Sequence, residues 1–146
     1  MKTVGAITRG RPSFRVDASM TVLQAARYMT EKKIGAVCVV DGDRLAGVLS
    51  ERDLMSRVLA SEQNPKAIRV ADVMTKNLVI AEADETIEAC VERMMTAGVR
   101  HLPVVEKQKL LGMISIRDLL LHEVDEKEFE MKMMTTYIYS HSSAAE

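Results

Sequence analysis

Two stretches, Gly47-Val48-Leu49-Ser50-Glu51-Arg52-Asp53 and Gly112-Met113-Ile114-Ser115-Ile116-Arg117-Asp118, carry one pattern 65 positions apart. Working outward, the same offset aligns Asp17 to Leu54 with Glu82 to Leu119 without a gap. Identities fall at Thr21/Thr86, Met29/Met94, Val39/Val104, Val40/Val105, Leu45/Leu110 and Leu54/Leu119, besides those of the two motifs. Two copies of one unit is the economical reading, and a repeat governs how everything else is read.

Each copy resolves into the same elements. Val22, Ala25, Ala26 and Met29 recur at helical spacing, as do Ile87, Cys90, Val91 and Met94, so each unit has an amphipathic helix. In the first copy, Thr21-x-x-Gln24 fits a capping box at its start. Ala36 to Val40, a turn at Asp41-Gly42-Asp43-Arg44, and Leu45 to Leu49 read as a β-hairpin, and His101 to Val105 with Leu110 to Ile114 repeat it. Short strands at Phe14 to Val16 and Leu78 to Ala81 precede each unit, and helical spacing returns after Ser50 and Ser115. The expected fold is α+β: two β-α-β-β-α units packed sheet to sheet, since a small sheet with helices on one face must bury the other. The expected boundaries are 1–64 for the first unit with its linker (Ser61 to Lys66), 65–125 for the second, and 126–146 for a further helix and tail. From Glu123 to His141, Val124, Met131, Met134 and Ile138 keep a helical rhythm, with Glu123/Lys127 and Glu128/Lys132 as i,i+4 pairs. So apolar a helix calls for a partner surface.

Composition narrows the function classes. The chain of 146 residues has 20 basic and 21 acidic residues, a balance that gives no field for a polyanion and argues against nucleic acid as a partner. No stretch is long and apolar enough to span a bilayer, and MKTVGAITRGRPSFRV lacks a signal-peptide core, so a cytoplasmic protein is expected. Cys38 and Cys90 lie among apolar neighbours without a Cys-x-x-Cys pair, and the three His make no ligand cluster, so neither a disulfide nor a metal site is expected.

The doubled motif carries the chemistry. Each copy sits at a strand-to-helix junction, where glycine lets another group approach the backbone and Ser stands at the N-cap beside free N–H groups. Arg offers a planar donor fork for phosphate, and an Asp carboxylate can accept from a ribose diol. Ser-x-x-Asp at a helix start is equally a capping box. Arg52 and Arg117 at the same place in both copies weigh toward a ligand, since capping has no use for them. No nucleophile stands in a recognisable arrangement with a base, so no enzyme is expected, and a thiol switch at Cys38 or Cys90 is the only redox candidate.

The Gly-h-h-Ser-x-x-Asp motif closing each unit, DVMT at Asp72 to Thr75, and RHLPVVE at Arg100 to Glu106 together resemble a tandem pair of cystathionine-β-synthase (CBS) domains over about Val4 to Val124. The resemblance implies a non-catalytic regulatory module, commonly a homodimer, that binds adenosine-containing ligands (AMP, ADP, ATP or NAD) in clefts between its units and needs no obligatory cofactor. It implies ribose binding by Asp53 and Asp118 with Ser50 and Ser115 beside them, and phosphate binding by a basic pair at Arg100 and His101. With Arg52 and Arg117 these make the candidate site. The copies differ there: Gly35 and Ala36 stand where the second has Arg100 and His101, so phosphate is expected near Arg100, His101 and Arg117, with room for a base beside Gly35. The first unit shows no DVMT, with Thr8-Arg9-Gly10-Arg11 aligned there. A ligand-free dimerisation scaffold is the alternative, and an unidentified target protein would take the output.

Overall fold

A computed structural model describes residues 2–122 and 131–138. Two compact units divide the chain, 1–114 and 115–146. The first holds α1 (Val4–Arg9), β1 (Arg15–Asp17), α2 (Val22–Lys32), β2 (Ala36–Asp41), β3 (Arg44–Ser50), α3 (Glu51–Asp53) running into a π-helix over Leu54–Leu59, α4 (Val70–Val73), β4 (Ala81–Glu82), α5 (Ile87–Ala97) and β5 (His101–Glu106). The strand β6 (Lys109–Ser115) ends this unit, and α6 (Ile116–His122) opens the next.

The α+β class and the doubled order are as the sequence requires. Each repeat forms a three-stranded ladder with its first strand parallel to its second. The strands run β1-β2-β3-β6-β5-β4, and the two ladders connect through one residue pair, Arg44 with Lys109. Cys38 and Val40 of β2 pack with Leu110 of β6, burying apolar side chains of both ladders against each other. Within each repeat the helix begins where expected. Thr21 Oγ1 accepts from Gln24 N while Gln24 Oε1 accepts from Thr21 N, and Thr86 Oγ1 accepts from Ala89 N. Alternate faces of β2 and β3 bury Val37, Val39 and Leu49 against Val22, Ala25 and Met29.

The short helices α1 and α4 exchange places between the repeats. α4 leads into the second repeat but packs back on the first: Val70 and Ala71 donate to the carbonyls of Met20 and Ala18, and Val70, Val73 and Met74 enter the core of that repeat. α1 crosses to the second repeat, where Val4 and Gly5 donate to the carbonyls of Glu85 and Ala83, the equivalents of Met20 and Ala18. Each repeat is thereby closed by a helix lying outside it in sequence. The first unit does have a counterpart of DVMT, α1, in a register that sets Thr8 against Met74 rather than Thr8-Arg9-Gly10-Arg11 against the whole motif. The motif glycines serve this exchange. A Cβ on Gly47 would lie 2.7 Å from Met74 Sδ and 2.8 Å from Thr75 O, and one on Gly112 would lie 2.8 Å from Thr8 Cγ2.

In the second unit the described residues 131–138 are helical, with Met131, Met134, Tyr137 and Ile138 exposed. The expected pairs Glu123/Lys127 and Glu128/Lys132, and the helical positions Val124 and His141, involve residues outside the described ones.

Candidate functional site

At the end of β3 the chain turns into α3 through a reciprocal cap. Ser50 N and Oγ donate to Asp53 Oδ2 at 3.0 and 3.1 Å, and Asp53 N donates to Ser50 Oγ at 3.2 Å. The other carboxylate oxygen, Oδ1, accepts from Thr75 Oγ1 at 3.0 Å. Thr75 is held there because its N–H and C=O pair with Val48 of β3 at 2.9 and 3.0 Å. Asp53 is only 5% exposed, so these bonds compensate its buried charge. Asp53 thus caps the helix, and its carboxylate also lies in the lining of a cleft.

That cleft has a volume of about 660 Å³, within the size range of small-molecule sites. One wall is Ser50, Glu51, Arg52 and Asp53, the other Arg100 and His101 at the start of β5, and Thr75, Asn77 and Leu78 cross between them. Five of the sequence-predicted residues (Ser50, Arg52, Asp53, Arg100 and His101) thus share one space, with Gly35 and Ala36 in the same lining. Arg52 and Arg100 are exposed to it. Sequence reasoning missed Thr75, Asn77 and Glu51. DVMT was the available signal for Thr75, but its bond to Asp53 depends on α4 returning to the first repeat.

Of the second copy of the motif, Ser115 to Asp118 lie in the second unit. Ser115 N donates to Asp118 Oδ2 at 2.8 Å and Asp118 N to Ser115 Oγ at 3.0 Å, so the cap is repeated, with Arg117 exposed between them.

Both thiols are fully buried, and burial pushes Cys38 up to about 12 and Cys90 up to about 11. The reactive thiolate is disfavoured at both, which counts against the thiol switch. Among the described residues, no group of three or more His, Cys, Asp or Glu could hold a metal, and no helix is long and apolar enough to cross a membrane.

A doubled β-α-β-β-α fold with a cleft lined by both repeats defines a paired-repeat module. A family model described as CBS domain matches residues 4–60 and 70–125. The CBS domain-containing protein CBSX3, mitochondrial, of Arabidopsis thaliana is 32% identical over 123 residues, which cover 81% of this chain and 60% of that protein. The protein YlbB of Bacillus subtilis is 34% identical over 104 residues, 70% of each chain. A solved CBS-domain protein from Burkholderia ambifaria superposes with a TM-score of 0.74 at 36% identity, covering 85% of this chain and 95% of that one. The CBS domain pair of protein MJ0100, solved with 5′-methylthioadenosine and S-adenosyl-L-methionine, shares the fold with a TM-score of 0.68 at 22% identity, covering 82% and 93%. The chain belongs to the CBS domain family and carries two CBS domains.

Proposed function

We propose that this CBS pair is a non-catalytic regulatory module that binds an adenosine-containing ligand (AMP, ADP, ATP or NAD) in the cleft between its repeats. The observation that carries the reading is the meeting of Ser50, Arg52 and Asp53 from one repeat with Arg100 and His101 from the other. Asp53 has acceptor capacity left for a ribose hydroxyl after its described bonds, and the arginines supply donors for phosphate. That the pair in MJ0100 was solved with two adenosyl ligands supports the ligand class. Ser115, Arg117 and Asp118 repeat the motif and are proposed as a second, non-equivalent site.

A ligand that contacts both repeats prefers one arrangement of them, and that preference is the signal. The exposed apolar side chains at 131–138 suit self-association, so we place the output in a homodimer or a bound target protein, in the cytoplasm, where buried thiols stay reduced. Thermal unfolding against a nucleotide panel tests the reading. A ligand at about 100 times its Kd should stabilise the fold by about 2.7 kcal/mol. Absence of any shift with every adenosyl ligand would leave the dimerisation scaffold as the better account.

A further inference from the structure

The two repeats put opposite charges into one cleft. Where the second repeat has Arg100 the first has Gly35, and where the first has Glu51 the second has Ile116. Gly35, Glu51 and Arg100 all line the same space. Glu51 N donates to Gly35 O at 2.9 Å, which fixes the backbone of the two residues together. A Cβ built on Gly35 would lie 3.1 Å from Glu51 Cδ and 3.2 and 3.3 Å from its carboxylate oxygens. The carboxylate therefore rests against bare backbone, in space that a side chain at residue 35 would contest.

The other formal charges lining the cleft are Arg52 and Asp53, and His101 adds a positive charge only when protonated. Two guanidinium groups line the cleft with two carboxylates, one of them the buried Asp53, whose Oδ1 also lies 3.9 Å from Arg57 Nε beneath the lining. A single phosphate can be met by Arg52 and Arg100. Each further phosphate adds negative charge that no additional cation in the lining offsets, close to the Glu51 carboxylate, where like charges repel strongly at the modest effective dielectric of a cleft.

We propose that Glu51 is a charge filter, which makes this cleft take a nucleoside monophosphate in preference to the triphosphate. The inference rests on the adenosine-ligand reading of the cleft and adds its selectivity. Calorimetric titration of the full chain with AMP and with ATP, both in EDTA at low salt, tests it. The expected result is AMP tighter than ATP by about tenfold or more, with the ratio falling to about threefold or less in Glu51→Gln. Glu51→Ile, which installs the residue of the second repeat, should narrow the ratio likewise, and melting curves of both variants verify that they fold. ATP binding as tightly as AMP to the unaltered chain, or a ratio unmoved by both substitutions, would overturn the filter while leaving the cleft reading intact. No binding of either nucleotide would instead overturn the cleft reading and the filter with it.

Discussion

The first repeat secures the corner between its leading strand and its helix with aromatic packing, the second with an ion pair. Phe14 and Tyr28 stand edge to face with centroids 6.4 Å apart, and Lys32 Nζ lies 5.8 and 5.7 Å from the two rings. At the equivalent positions the second repeat has Val79, Arg93 and Ala97. There Arg93 pairs with Glu85 and donates to Ile80 O at 2.9 Å. The backbone frame is the same, so the fold fixes where a corner must be held and leaves the chemistry of holding it open. The same freedom operates at the cleft, where one copy contributes Glu51 and the other Arg100. Duplication supplied the frame, and divergence between the copies supplied a site with two different walls.

Substitutions at matched positions can sharpen or break this comparison. The largest effect is expected at Gly47. Gly47→Ala drives a methyl group into Met74 and the carbonyl of Thr75, and should cost about 3 kcal/mol in urea unfolding, toward the upper end for overpacking. Gly112→Ala meets the methyl of Thr8 and should cost less, because a side chain yields more readily than a backbone carbonyl. Equal costs would mean that the exchanged helices grip both repeats alike.

Asp53→Ala comes next, at about 2 kcal/mol, since it leaves Ser50 N without its cap and Thr75 Oγ1 without its acceptor. It should also abolish nucleotide binding in the cleft. A calorimetric affinity unchanged by this substitution would remove Asp53 from the binding site and leave it a cap alone.

The helix ends offer a gain. Lys33 closes α2 in the left-handed region at φ 58°, where the second repeat has Gly98 at φ 69°. Lys33→Gly should raise stability by about 0.5 to 1 kcal/mol in thermal or urea unfolding, because glycine pays no steric penalty there. A loss on making the first repeat match the second would show that the greater backbone freedom glycine loses on folding outweighs the strain of Lys33 at φ 58°.

The smallest effect concerns the ion pair. The hydrogen bond from Arg93 holds the Glu85 carboxyl below its ordinary range, so the charged form is favoured in the folded state. Its contribution is present above the ordinary carboxylate pKa and is lost as pH falls through the lowered folded value. With both side chains partly exposed, Glu85→Gln should cost under about 1 kcal/mol at pH 7, and its stability curve should converge on that of the unaltered chain in acid. A difference that stays constant with pH would assign the corner to packing in both repeats.

The repeat, its element order and its helix caps were legible because they rest on local pattern: Thr21 and Gln24, Asp41-Gly42, and the alternation through Val37 and Val39. The π-helix over Leu54–Leu59 was not. Its bonds, such as Ala60 N to Met55 O at 2.8 Å, admit an extra residue per turn that the Leu54/Val58 spacing does not announce. Five of the eight candidate site residues line one cleft, but their grouping was not legible: Arg100 and His101 were expected with Arg117, and they share the lining with Ser50, Arg52, Asp53 and Gly35. The close approach at Gly47 was legible, but the groups that make it, Met74 and Thr75 at the end of α4, were not, since a helix of four residues is too short to show a period. Glu51 was passed over for the opposite reason: its partner is Gly35, a residue with no side chain to suggest a contact.

The crossing of α1 onto the second repeat has a consequence for the order in which the chain is made. The first repeat and α4 are contiguous, so they can close on each other once α4 has emerged from the ribosome. Val4 and Gly5, synthesised before the first repeat, have their carbonyl partners at Glu85 and Ala83 and must wait for them. Domains tend to fold in the order they are translated, and late contacts of long sequence separation are slow to form. A bulky tag fused ahead of Thr3 would for this reason burden the repeat farther away along the chain and spare the one beside it.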